Sequence, residues 1–401
     1  MRYPVAHGIG RPTVGSGMFQ QPMMRRRHLF VIVSALASVL GAVVFSPRGQ
    51  SVADTLPGRL TDRAFWQMIV DFSEPGGVFR SDNFVSNEAT FQEIIPALKK
   101  RSPSRGVYLG VGPDRNFTYI TALGPPIAFV IDIRRQNMIE HLLYKAIIEM
   151  SEDRAEFLSR LFSRQRPAGL SKSSTPEALF DAYGNVASSD ALFQKNLQEV
   201  ENRLLRRHGF PLTEEDRKSL EYVYLAFFSQ GPGLRYTFPR QRFGDPWFPT
   251  YAQLMMATDL NGFNHSYVAN ERTFRLLRDF ERNNLLGPIV GDFGGDKAIR
   301  AVGRYSREHG ATVNYVYTSN VEQYLFQSDA WQHYYANVAT LPLNESSTFI
   351  RAYFDRGFRY PPGIVTPDLH SVLLLDPILN FLSAVRLGQI TSYADVVGRP
   401  Q

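Results

Sequence analysis

Two short apolar runs bracket a glycine-rich turn and a helical pattern, and no other part of the chain constrains the fold as strongly. The first run, Val107-Tyr-Leu109, leads into Gly110-Val-Gly112-Pro-Asp114-Arg115-Asn116; the second is Ile127-Ala-Phe-Val-Ile-Asp-Ile133. Continuous apolar runs of this length predict strands buried on both faces, as in a parallel sheet, and parallel neighbours need a crossover between them. The residues after Gly112 read as that crossover helix. The result is a βαβ unit with its glycines at the first strand–helix turn, where open α/β sheets bind nucleoside-containing ligands. Gly110 and Gly112 permit a tight turn and close ligand approach, and the next helix presents free N–H groups. Asp132 ends the second strand, where a carboxylate can accept from a ribose diol. The competing role for Asp132 is an ion pair with Arg134 or Arg135.

The pattern recurs. Ser266 to Phe274 matches residues 83–91 at five of nine positions, and Gly287-Pro-Ile-Val-Gly-Asp-Phe293 echoes Gly106 to Gly112. A helix at about 295–309 then leads to a strand at 312–319. This echo predicts the second half of a single doubly wound sheet. Around it the periodicity predicts a helix over 60–72 capped by Thr61, and a helix from Asn83 to about Lys100 that Pro96 kinks or shortens. A long helix is expected over 138–164. Helical patterns at 188–208 and 213–230 form an insertion over about 165–246, closed by Gly231-Pro-Gly233. Late strands are expected at 337–343 and 347–353, and a C-terminal helix at 371–387. The fold class is therefore α/β, a Rossmann-like doubly wound sheet with a helical insertion.

Charge separates the two ends of the chain. The net charge is +6, and residues 1–59 account for all of it through seven arginines and the single acid Asp54. Residues 60–401 carry equal numbers of basic and acidic side chains, so a phosphate-tracking surface and a nucleic-acid partner are not expected. Arg25-Arg26-Arg27 precede Leu29 to Phe45, a run free of charge, and Ser51-x-Ala53 follows with small residues. That order predicts a signal peptide, or an uncleaved anchor holding the chain to a membrane, over residues 1–53. The α/β domain would then span 54–401 and face outward, in the periplasm or cell envelope; without a signal it would be cytoplasmic. The chain has no cysteine, which removes disulfides, thiolate metal sites and a cysteine nucleophile.

The candidate chemistry is sparse. Thr258-Asp-Leu-Asn-Gly-Phe-Asn-His-Ser266 crowds polar groups ahead of a core helix, and His265 is its candidate general base. In the structural account of the same stretch, Asn264 or Ser266 caps the helix. Asp292 ends one predicted strand, and Ser319, Asn320 and Glu322 follow another, where open sheets place ligands. Asn87-Glu88 and Asn270-Glu271 both read as helix starts. No H-E-x-x-H or close histidine pair points to a metal, and neither a P-loop nor a G-x-S-x-G elbow is present.

The run from Gly106 to Ile120, with Ile131-Asp-Ile-Arg-Arg-Gln-Asn137 and Ser319-Asn-Val-Glu-Gln-Tyr-Leu-Phe326, resembles a family of uncharacterised bacterial proteins. The fold of that family is similar to class I S-adenosylmethionine-dependent methyltransferases. The resemblance implies a sheet of methyltransferase type and S-adenosylmethionine as cofactor. It implies that Gly110, Gly112 and Asp132 hold the methionine and ribose parts, with Asp114 and Asn116 of the same turn in the cofactor-binding set. His265 or Asp292 would lie by the methyl acceptor. Tyr108 stands where an acid is usual and Asp114 where the methyltransferase form G-x-G-x-G has its third glycine, while Arg115 takes the third-glycine place of the nicotinamide fingerprint G-x-G-x-x-G. The alternative is a non-enzymatic, exported or anchored protein that binds a small-molecule ligand or partner in the same cleft. The cofactor is made and used in the cytosol, so location separates the two.

Overall fold

A computed structural model of the chain describes residues 55–101, 106–237, 248–354 and 371–399, all within the unit Val52–Gln401. The predicted signal or anchor at 29–45 and the small residues at 51–53 lie outside the described residues.

The chain enters through α1 (Asp62–Phe72), where Thr61 accepts the backbone N–H of Ala64 and caps the first turn as expected. The helix predicted from Asn83 starts only at Ile95, as α2 (Ile95–Arg101). Asn83 has φ +49°, and Glu88 and Gln92 spend their side chains on distant partners, so residues 83–94 are held as irregular chain. Pro96 falls in the first turn of α2, where its missing N–H costs nothing, and it neither kinks nor ends the helix.

The βαβ unit follows as read: β1 (Val107–Gly110), α3 (Arg115–Leu123) and β2 (Ala128–Asp132). The long helix expected over 138–164 is two, α4 (Arg135–Met150) and α5 (Arg154–Phe162). Asp153 breaks the run by accepting the N–H of Glu156, a local N-cap that overrides the continuing apolar period. Then come α6 (Pro176–Gly184), α7 (Asp190–Glu201), a π-helical turn (Asn202–Arg207), α8 (Glu214–Gln230) and α9 (Tyr251–Met256). Buried Arg154 ties this helical region to the core: it bonds Glu271 and the carbonyls of Val268, Ala269, Lys172 and Ser174. Behind the π turn, His208 lies between two carboxylates, Nδ1 2.9 Å from Asp62 and Nε2 2.7 Å from Glu149. Both ring nitrogens thus face a carboxylate oxygen, which fixes the imidazole from two sides. Lys145 reaches Glu149 at 2.9 Å in the same network.

Next are α10 (Glu271–Arg282), β3 (Leu286–Val290), α11 (Ala298–Glu308), β4 (Val313–Ser319), α12 (Val321–Gln327) and α13 (Trp331–Val338). Asn270 caps α10 by accepting from Arg272 and Thr273, so the cap is neither Asn264 nor Ser266. The strand expected at 337–343 is the end of α13 and a turn, in which Leu341 donates to Val338. The chain closes with β5 (Thr348–Phe354), β6 (Ser371–Pro377), α14 (Ile378–Arg386) and α15 (Tyr393–Val397). The predicted helix over 371–387 is thus half strand. Ser371-Val-Leu-Leu-Leu is an unbroken apolar run with no period to choose between states, and pairing with β5 decides it.

The six strands form one sheet in the order β3-β2-β1-β4-β5-β6, parallel except for β6 against β5. This is a mixed α/β architecture with helices flanking a mostly parallel sheet, compatible with a Rossmann-like fold. Every residue of β1 to β5 is buried, which accounts for runs without alternation. The echo at 266–319 does not mark the second half. β3 pairs with β2 on the outer edge of the first half, and only β4 crosses to the other side of β1. Aromatic rings fill the core; Phe117 alone meets His141, Tyr144 and Tyr267 edge-on at 5.1 to 5.5 Å. Full burial of a side chain of this kind contributes on the order of 2 kcal/mol.

Candidate functional site

Strand order reverses between β1 and β4, and the carboxyl ends of β3, β2, β1 and β4 open there into a cleft of about 400 Å³. Gly112, Asp132, Asp292, Ser319 and Asn320 lie on its wall. Phe79 and Tyr324 meet edge-on at 5.1 Å on one side of it.

The glycine turn is built from beneath. Asn116 Nδ2 lies 2.7 to 3.2 Å from the carbonyls of Val111, Gly112 and Pro113, while the Tyr108 hydroxyl donates to its Oδ1 at 2.8 Å. Gly110 makes room for this tie, since a Cβ there would stand 2.0 Å from Asn116 Oδ1. Gly112 is needed for another reason: its φ is +76°, a left-handed conformation that L side chains avoid. His141 Nε2 sits 2.9 Å from the Gly112 carbonyl. A carbonyl only accepts, so Nε2 carries the proton; burial lowers the pKa of His141 to about 4 and keeps the ring neutral.

Of the predicted cofactor set, Gly112 and Asp132 line the cleft, whereas Gly110, Asp114 and Asn116 do not. Asp114 is fully buried beneath the turn, where it accepts from the Tyr267 hydroxyl at 3.3 Å. Burial pushes its pKa up to about 7 against the opposing pull of Arg115. Asp132 has the ion pair: Arg134 donates Nε to Oδ1 at 3.0 Å and Nη2 to Oδ2 at 2.8 Å, and its backbone N–H also reaches Oδ1. Arg135 turns instead to Asp216, on α8.

The two predicted catalytic residues are not brought together. Asp292 lines the cleft, exposed, with Oδ1 accepting the Gly294 N–H at 2.9 Å and its own N–H donating to Glu74. His265 is absent from the cleft wall. Its Nε2 is 2.9 Å from Asp259 Oδ2, and Asp259 Oδ1 in turn accepts from Asn261 and Phe263, so the imidazole is spent within its own loop. Among the described residues no group of three His, Cys, Asp or Glu is placed to hold a metal ion.

The most heavily buried charge at the cleft lies elsewhere. Arg115, 2% exposed, pairs with Glu88 at 2.8 Å, and its guanidinium lies over the Tyr317 ring, 4.8 Å from the centroid. Glu88 also accepts from Tyr317 at 3.0 Å and from Ser319 at 2.5 Å. Glu88 is therefore the hub of a polar cluster and not the first-turn acid its sequence neighbourhood predicts. The one local hint was an arginine in the third-glycine position of the nicotinamide fingerprint; Tyr317 and Ser319 are separated from Glu88 by most of the domain.

Residues 83–381 match the family described as a domain of unknown function (DUF7790), a span that contains all six strands and most of the cleft wall. No curated protein matches the chain. With three-quarters of its length covered, from the irregular segment before α2 to α14, the chain belongs to the DUF7790 family.

Proposed function

We propose that the cleft binds a nucleoside cofactor, S-adenosylmethionine, and that the protein is a methyltransferase-like protein with a sheet of that type. The observation that carries this reading is the convergence of Gly112, Asp132, Asp292 and Ser319 from the carboxyl ends of β1, β2, β3 and β4 at the reversal of strand order. The residues fit such a group. Nothing lies within 3.4 Å of a Cβ built on Gly112, so a ligand can approach its backbone. Asp132 Oδ2 accepts one hydrogen bond and keeps capacity for a ribose hydroxyl. Asp132 and Gly112 would hold the cofactor, which supplies an electrophilic methyl group when bound. Asp292, Ser319 and Asn320 would face the acceptor.

A second reading, ligand binding without catalysis, has its own support. Both buried acids at the cleft are already neutralised, Asp132 by Arg134 and Glu88 by Arg115, and His265 is committed to Asp259 away from it. The export or membrane anchoring proposed from residues 29–45 favours this second reading, since an outward-facing protein meets little S-adenosylmethionine. Calorimetric titration of the full chain with S-adenosylmethionine and S-adenosylhomocysteine tests the first; a folded protein that binds neither overturns it. A reporter fused after Gln401 that is active only in the cytosol overturns the outward location.

A further inference from the structure

The residue in the third-glycine position offers a free donor to the cleft. Arg115 spends Nη1 on Ser86 at 2.5 Å and on Glu88 at 2.8 Å. Its Nε is buried with no partner, and among the described residues Nη2 has none either. Asn83, across the turn, is also uncommitted: it is held at φ +49°, its Nδ2 donates to no partner among the described residues, and its Oδ1, an acceptor, is buried and unpartnered. The two side chains converge. A Cβ built on Gly112 would lie 3.5 Å from Arg115 Nη2 and 3.6 Å from Asn83 Nδ2. All three residues line the cleft.

A buried guanidinium edge with unspent N–H groups is costly unless something accepts from it, and its planar fork matches the two oxygens of a carboxylate. Glu88 compensates the net charge of Arg115 but leaves the Nη2 edge open, and the Asn83 amide adds a neutral donor beside it. Asp132, also on the cleft wall, has its charge compensated by Arg134. The glycine supplies the space in front of the donors, because any side chain at 112 would occupy it.

We propose that Arg115, Asn83 and Gly112 form an oxyanion subsite that takes the carboxylate of an amino-acid-bearing ligand. This deepens the reading of the cleft given above and rests on it for the choice of probes. Arg115 thus acts as a binding residue and not merely as a departure from a glycine pattern.

The test is calorimetry on the full chain with S-adenosylhomocysteine, which carries the carboxylate, with 5′-methylthioadenosine, which lacks it, and with sulfate. The variants are Asn83→Gly, which keeps the left-handed backbone and the Arg115–Glu88 pair, and Arg115→Gln. The expected result is that S-adenosylhomocysteine binds more tightly than methylthioadenosine to the unaltered protein. Each substitution should then weaken S-adenosylhomocysteine about tenfold and leave methylthioadenosine unchanged. Because Arg115→Gln uncovers Glu88 and can unfold the chain, Asn83→Gly is the deciding variant. Equal affinity for the two nucleosides, or equal losses on substitution, overturns the subsite and leaves the nucleoside reading standing. Binding of sulfate but of neither nucleoside, lost in Asn83→Gly, overturns the nucleoside reading and upholds the subsite. Binding of none of the three overturns both.

Discussion

Arg134 bridges both oxygens of the Asp132 carboxylate, Nε on Oδ1 at 3.0 Å and Nη2 on Oδ2 at 2.8 Å, with both side chains less than 10% exposed. Removing one partner of such a pair leaves an uncompensated buried charge, whereas removing both does not. Arg134→Met is expected to lower the unfolding free energy by about 3 kcal/mol, and Asp132→Asn combined with it by clearly less. Urea unfolding of both variants and of Asp132→Asn alone checks this; a double variant that loses the sum of the single losses would show that the pair is not coupled.

The two glycines of the turn answer to different constraints, and alanine separates them. Gly110→Ala places a methyl group on Asn116 Oδ1 and should cost about 3 kcal/mol, because the Tyr108–Asn116 tie must move. Gly112→Ala meets no close atom and carries only the left-handed penalty of about 1–2 kcal/mol, yet it fills the space in front of Arg115 and Asn83. Stability should therefore fall more at 110, and ligand affinity more at 112. The reverse order in paired melting and titration data would contradict this geometry.

Asp114 makes stability fall with pH. Its folded pKa, about 7, lies above the ordinary aspartate value, so between roughly pH 4 and pH 7 the folded chain holds a proton that the unfolded chain has lost. Stability from this group is full below pH 4 and is lost as pH rises through 7. Asp114→Asn should flatten that part of the profile and stabilise the protein by roughly 1–2 kcal/mol at pH 8. Thermal melts from pH 5 to pH 8 read it directly; an unchanged slope would remove Asp114 as its source.

The carboxylates around His208 act in the opposite sense. Burial alone would raise Asp62 and Glu149; hydrogen bonds from Asn284 and His208 to Asp62, and from His208 and Lys145 to Glu149, outweigh it and hold both below the ordinary range. Their contribution is present above the unfolded carboxylate pKa and is lost as pH falls through the folded values. His208→Gln should cost about 2 kcal/mol at neutral pH and move the acid-unfolding midpoint upward. A midpoint unmoved in circular dichroism would argue against the clamp.

His265→Ala is expected to leave any ligand affinity of the cleft within about twofold, since the imidazole is spent on Asp259 outside the cleft wall. A larger loss by calorimetry would place the loop at the site after all.

What could be read from residues alone was what local chemistry decides. The strand–glycine turn–strand of β1 and β2 announced itself through unbroken apolar runs, Thr61 through its capping position, and Asp132 through its place at a strand end. Elements decided by distant partners were not legible. Asn87-Glu88 and Asn270-Glu271 are the same dipeptide in similar surroundings; one opens a helix, and the other sends its glutamate to Arg115, Tyr317 and Ser319. Ser371 to Pro377 became a strand only because β5 was there to pair with it. The cleft followed the same division. Its glycine and its carboxylate were visible, but that Arg134 would take Asp132 while Arg135 went to α8 depended on contacts no spacing rule records.

The long helical excursion between β2 and β3 also dictates an order of assembly. Asp132 pairs in register with Val290, so the entire stretch from Ile133 to Leu285 must be made before that edge of the sheet can close. Of the two neighbours of β1, only β2 is near in sequence; β4 comes later still. Pairing across so long a loop is entropically slow, and until it occurs the unpaired edges of β1 and β2 are open to strands of other chains. Helices form from local contacts within about a microsecond, so α4 to α10 are able to fold ahead of that pairing and shorten the effective gap. Their contribution to the molecule is therefore partly kinetic: they bring β3 back to the strand it left.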